Sequence, residues 1–170
     1  RLHDALPPYP LMTVVAAKPY LLPPAPVPPG CLLILVDGGS TCNVALSGEG
    51  LGISRTMPPV SPTTTVGNPD SPVACIADCH MTVAVHCPGE HPALLPEAEF
   101  QIAPKMIANI ISEGIYLDIG DIAFDKRSML IRWPTGATAP MHRHGQLFYI
   151  YAQRYELANV ESPACLAIAN

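Results

Sequence analysis

Apolar and polar positions alternate along this chain in short runs, most of them too brief for a helix. The clearest is Cys31-Leu32-Leu33-Ile34-Leu35-Val36, a continuous apolar run of strand length followed at once by Asp37-Gly38-Gly39-Ser40-Thr41. Such a run predicts a buried strand that delivers an aspartate into a tight turn. Residues 63–66 and 73–76 flank Gly67-Asn68-Pro69-Asp70-Ser71-Pro72, which predicts a β-hairpin. Residues 81–86, 122–124, 129–133 and 147–151 predict further strands, and residues 105–114 a short helical or irregular piece. Residues 11–17, bounded by Pro10 and Pro19, predict one edge strand. No internal repeat is present.

Composition narrows this picture. Of 21 prolines, nine fall in residues 1–30, and the rest are spread so widely that an all-helical bundle is excluded. Residues 1–30 therefore predict a Pro-rich arm or linker of extended character. The 170 residues allow one domain with tails. The six-residue apolar run at 31–36 is far short of the roughly 18–20 residues of a membrane-spanning helix, so no membrane partner is expected. The formal net charge is −5 with nine Lys and Arg, and no basic cluster exceeds Lys126-Arg127, so direct nucleic-acid binding is not expected either. With 14% charged and 49% hydrophobic residues, apolar patches are expected at the surface unless a second chain covers them, which favours a homodimer. The chain begins at Arg1 with no secretory pattern, as expected of a piece of a longer polypeptide. Cysteines at 31, 42, 75, 79, 87 and 165 lack the density of a disulfide scaffold and are expected as free thiols in a reducing compartment.

Asp37 is the position with the most chemical content. A carboxylate directly after six apolar residues needs compensation for its desolvation. Gly38 and Gly39 let backbone amides approach it without side-chain obstruction. Taken alone, the motif is also what an ordinary strand-exit turn looks like.

The order of motifs adds to this. Leu35-Val36-Asp37-Gly38-Gly39-Ser40-Thr41 is similar to an active-site loop of the form Asp-Ser-Gly-Ala/Ser-Ser/Thr after a buried strand. Val66-Gly67-Asn68-Pro69-Asp70-Ser71-Pro72-Val73 looks like a flap hairpin. Ile102-Ala103-Pro104-Lys105-Met106-Ile107-Ala108-Asn109-Ile110-Ile111-Ser112 and Gly120-Asp121-Ile122-Ala123-Phe124-Asp125-Lys126 follow in the same order as their counterparts. Over residues 31–151 the chain thus resembles the retropepsin-like aspartic protease region of copia-type (LTR) retrotransposon polyproteins. Pro140 to Ile150 is similar to the strand that opens the pre-integrase region of such polyproteins.

The resemblance implies an all-β, retropepsin-like closed barrel forming one acid-protease half, preceded by the Pro-rich arm. It divides the chain into an arm at 1–30, a protease domain at 31–133 and a pre-integrase-like start or tail at 134–170. It implies an aspartic endopeptidase that processes its own polyprotein, with Asp37 catalytic, Gly38, Gly39, Ser40 and Thr41 as its loop, and Val66, Gly67, Asn68, Pro69 and Asp70 as the flap over an extended peptide. In the aspartic-protease dyad that the resemblance implies, two carboxylates lie too close for both to ionise cheaply, so they share one proton. Asp4, Asp70, Asp78, Asp118, Asp121 and Asp125 lack a second loop motif, so the partner carboxylate is expected from a second copy of the chain. No cofactor or metal is implied, and the expected location is the cytoplasm, including virus-like particles.

Two positions depart from the family pattern. Gly38 stands where the family has Ser or Thr, and Pro69 stands at the flap tip, where it fixes φ and removes an N–H. They motivate a first alternative, a catalytically degenerate protease-like dimerising module. A second alternative is a metal-binding β-domain using Cys75, Cys79, His80, His86 and Cys87, or His142 and His144. The spacing of the first set is irregular, and on a strand Cys79 and His80 face opposite ways. Cys42 is expected as a small packed residue rather than a nucleophile. Asp118, Asp121 and Asp125 are expected on a half-exposed strand rather than around a cation.

Overall fold

The computed structural model describes residues 26–64 and 72–155. The Pro-rich arm with its edge strand at 11–17, the hairpin tip at 65–71 and Cys165 lie outside them.

The run at 31–36 becomes strand β1 (Cys31–Asp37). Its neighbours in sequence order are β2 (Asn43–Ala45), β3 (Gly52–Met57), β4 (Thr63–Thr64), β5 (Val73–Ala74), β6 (Ala77–Thr82), β7 (Ala84–Val85), β8 (Ala93–Leu94), β9 (Ala98–Ile102) and β10 (Asn109–Ser112). After the helix α1 (Glu113–Gly120) come β11 (Ala123–Asp125), β12 (Leu130–Arg132), β13 (Thr138–Pro140), β14 (His142–His144) and β15 (Leu147–Gln153). The fold is all-β in class: 47% of the described residues are strand, one short helix lies among them, and the main sheet curls into a half-barrel. That sheet runs β3-β6-β9-β2-β10-β1-β15-β7-β8, with β14 paired to β15. β11-β12-β13 form a second sheet, and β4-β5 a third.

Alternation along the central strands explains the apolar runs. Ile34 and Val36 of β1 face a large core with Phe100, Ile111, Tyr116, Ile150 and Ala152. Leu35 faces a smaller cluster on the other side with Val44, Met106, Ile110, Tyr149 and Tyr151. A strand buried on both faces needs no polar alternation, so β1 reads as continuous hydrophobics.

β15 sits directly beside β1, antiparallel, from Cys31 opposite Gln153 to Val36 opposite Phe148. Residues 147–153, placed by the sequence in a downstream segment, are thus a central strand of the main sheet. β14 reaches β15 through a two-residue turn in which Gly145 has φ 59°, the left-handed conformation such hairpins favour.

The expected helical or irregular piece at 105–114 is a turn at 104–108 followed by β10, and the helix begins only at Glu113. Apolar residues at 106, 107, 110 and 111 mimic helical spacing, but Ile110 and Ile111 go to opposite faces of the sheet. Asn109 also anchors the segment as strand: its Oδ1 accepts the Leu46 N–H at 2.9 Å and its Nδ2 donates to the Leu33 carbonyl at 3.3 Å. Helix α1 stops at Asp121, which adopts φ 51° while its N–H bonds back to Leu117. Asp118 lies on the helix and Asp121 at its end, so the expected strand through Asp118, Asp121 and Asp125 is confined to the last of them. The physical reason is local: burial of Tyr116 and Ile122 holds α1 against the core, and the strand starts only beyond that contact.

Candidate active site

Asp37 ends β1 beside Ser112, the last residue of β10, with the two strands running parallel. By strand alternation its side chain falls on the face of Leu35 and the smaller cluster. It is half-buried, while Gly38, Gly39 and Thr41 are exposed. The carboxylate Oδ1 accepts the Gly39 N–H at 2.8 Å, the close amide approach expected of the Gly-Gly turn. Neither glycine has positive φ, so at this turn spatial access, not left-handed backbone, is what glycine supplies.

The turn is fixed from below by polar groups on three strands. Ser112 Oγ donates to the Ser40 carbonyl at 2.6 Å, and the Ser112 N–H donates to Asn43 Oδ1 at 2.8 Å. Asn43, fully buried, completes itself by donating Nδ2 to the Glu99 carbonyl at 3.0 Å. A buried amide with both ends bonded locks register instead of carrying a desolvation penalty. Ser40 Oγ turns away from Asp37 and donates to the Cys42 carbonyl at 2.6 Å.

Beside the turn lies an ion pair that sequence reasoning missed. Glu113, first residue of α1, bonds Lys126 Nζ through Oε1. A Cβ placed on Gly38 would stand 3.3 Å from that Oε1 and 3.5 Å from Lys126 Nζ, so the pair fills the space a side chain at 38 would use. The residue before Lys126 closes a hydrogen-bonded turn. Asp125 accepts the Ser128 hydroxyl at 2.6 Å, the Ser128 and Arg127 N–H groups at 3.1 Å, and Arg132 Nε at 3.3 Å. The Ser128 bonds, then Arg132 and Arg127, pull the Asp125 carboxyl down to about 2. Lys126 also lies 5.0 Å from the Phe148 ring centroid, on β15.

Further along the same face, Cys42 Sγ approaches Gln101 Oε1 at 3.5 Å and Thr64 Oγ1 at 3.8 Å, and Cys75 Sγ approaches the same Gln101 oxygen at 3.9 Å. Cys42, expected as a small packed core residue, is only half-buried: it packs against the smaller cluster and meets polar atoms. Burial, with Asp78 and Cys42 nearby, pushes the Cys75 thiol up. His142 stacks on Tyr149 at 5.4 Å, and burial together with His86 lowers its pKa.

Of the residues named for the metal-binding alternative, Cys79 and His80 face different surroundings. Cys79 is buried in the large core with Sγ 3.5 Å from Thr56 Oγ1, while His80 meets Glu97 and Glu99. Among the described residues no group of three or more His, Cys, Asp or Glu is gathered as for a metal ion. Val66, Gly67, Asn68, Pro69 and Asp70 lie outside the described residues.

Asp37 and its loop could be found from the apolar run that precedes them. Ser112 and Lys126 end two of the strings that carry the resemblance, but their place at the turn, like that of Glu113 and Gln101, comes from pairings between distant parts of the chain that no local pattern marks. Comparison of the chain with family models, with curated proteins and with solved structures gives no match.

Proposed function

We propose that this protein is an aspartic endopeptidase of the retropepsin type, processing a retrotransposon polyprotein as a homodimer in the cytoplasm or in virus-like particles. The observation that carries this reading is the half-buried Asp37 carboxylate, held by the Gly39 N–H in an exposed Gly-Gly turn at the end of a strand buried on both faces. One such turn supplies one carboxylate, so the second comes from another copy across a two-fold axis. One carboxylate of the pair takes a proton from the attacking water, and the other, protonated, donates to the scissile carbonyl. The exposed Leu117 and Ile119 of α1 are apolar surface of the kind a second copy covers.

A second reading, a protease-like dimerising module without activity, is favoured by one observation. The Glu113–Lys126 pair occupies the space beside Gly38, and the family's hydroxyl is absent there. Peptide cleavage by the full chain and by Asp37→Asn separates the two. The protease reading expects cleavage by the wild type and loss of at least about 100-fold in the variant, the scale of an acid–base contribution. Equal rates in both proteins exclude the protease reading, and cleavage by neither leaves the module.

A further inference from the structure

We propose that Cys42 and Cys75 form a reversible disulfide that pins β5 to the loop carrying Asp37, a redox latch on the proposed active site.

The two residues are 33 positions apart in sequence, yet both sulfurs lie within 3.9 Å of one atom, Gln101 Oε1. Their backbones are fixed on separate pieces of the fold. The Cys42 carbonyl is held by Ser40 Oγ immediately after the Asp37 turn, and the Cys75 N–H donates to the Pro62 carbonyl at 2.9 Å, tying it to the β4–β5 pair. A bond between them therefore joins two elements that meet here through sulfur contacts to a glutamine and a threonine. Such weak sulfur hydrogen bonds are easily given up when the thiols rotate toward one another.

Exposure sets the order of events. Cys42 is half-buried and meets a reagent first, whereas Cys75 is buried at 7% exposure. With a small-molecule disulfide as oxidant, the Cys42 thiolate attacks one sulfur of the reagent, forming a mixed disulfide and expelling one reagent thiolate. The Cys75 thiolate then attacks the Cys42 sulfur, the protein disulfide forms, and the second reagent thiolate leaves. The protein loses two hydrogens, and the reagent disulfide is reduced to two thiols. The raised Cys75 thiol makes the second step faster as pH rises.

The chemistry of the latch stands without the protease reading; its effect on cleavage rests on that reading. The full chain is treated with oxidised glutathione, free thiols are alkylated, and the digest is mapped by mass spectrometry before and after dithiothreitol. A linked peptide joining Cys42 to Cys75 is expected, lost on reduction, absent from Cys42→Ser and Cys75→Ser, and retained in Cys79→Ser. Glutathione remaining on Cys42 with no internal link, or a link to another cysteine, overturns the proposal, and wild-type mapping alone decides this if a variant fails to fold. In the cleavage assay the oxidised protein is expected to be several-fold slower and to recover on reduction; equal rates overturn the latch as a control. A linked peptide in a protein that cleaves nothing in either state upholds the disulfide and rejects the protease instead.

Discussion

The two faces of the main sheet are built from the same strands but do different work. On one, Ile34, Met81, Phe100, Ile111 and Ile150 are sealed from water in a continuous aliphatic and aromatic core. On the other, the smaller cluster of Leu35, Val44, Ile110 and Met106 is interleaved with Cys75, Tyr149 and Tyr151, and it is bordered by Asp37, Cys42 and Gln101. Burial of apolar area supplies stability on both faces, but most of it on the first. Polar and reactive groups can then sit on the second face because β1, β10 and β15 are already fixed from behind.

This division can be broken most severely at Phe100. The ring is fully buried in the large core, so Phe100→Ala should destabilise the protein by about 3–5 kcal/mol, read from the midpoint of urea unfolding. A loss below about 1 kcal/mol would mean that the large core does not carry the fold. Ser112→Ala is the intermediate case. It removes the hydroxyl that holds the Ser40 carbonyl and should reduce stability by about 1 kcal/mol, with a larger proportional loss of cleavage than of stability. Urea unfolding beside a cleavage assay checks both, and unchanged cleavage would show that the Asp37 turn keeps its shape without this bond.

The smallest effect is expected at Tyr116. Its ring is buried in the large core, 6.3 Å from Phe124, but its hydroxyl has no hydrogen-bond partner among the described residues. Burial pushes its pKa well above the ordinary value, so it stays neutral. Tyr116→Phe should therefore leave stability unchanged or raise it by up to about 1 kcal/mol, since an unpaired buried hydroxyl is a burden rather than a support. A clear loss in thermal unfolding would reveal a partner for that hydroxyl and a polar function on the sealed face.

Legibility in the sequence follows the same division. β1 and β15 could be read because strands buried on two faces are runs of apolar residues, and Asp37 stood out because it ends such a run. β2 and β9 could not. Asn43 and Gln101 look like loop residues until the sheet supplies partners for their amides. The helical or irregular piece expected at 105–114 is irregular only to residue 108, because Met106, Ile107, Ile110 and Ile111 imitate helical spacing, whereas the helix itself, Glu113–Gly120, buries only Tyr116 completely. The place of β15 beside β1 was not legible at all, since the hydrophobic pattern marks a strand but not its neighbour. For the same reason Glu113 and Lys126 gave no sign that they would pair next to Gly38.

Whether two copies of Asp37 make one active site is tested most directly by mixing. Wild-type protein is held at fixed concentration while an equal amount of Asp37→Asn is added and subunits are allowed to exchange. Half of the wild-type chains are then paired with an inactive partner, so cleavage should fall to about one half, as a shared site in a two-fold dimer requires. Cleavage that stays at its starting level after full exchange would place a complete site within one chain and contradict the shared dyad.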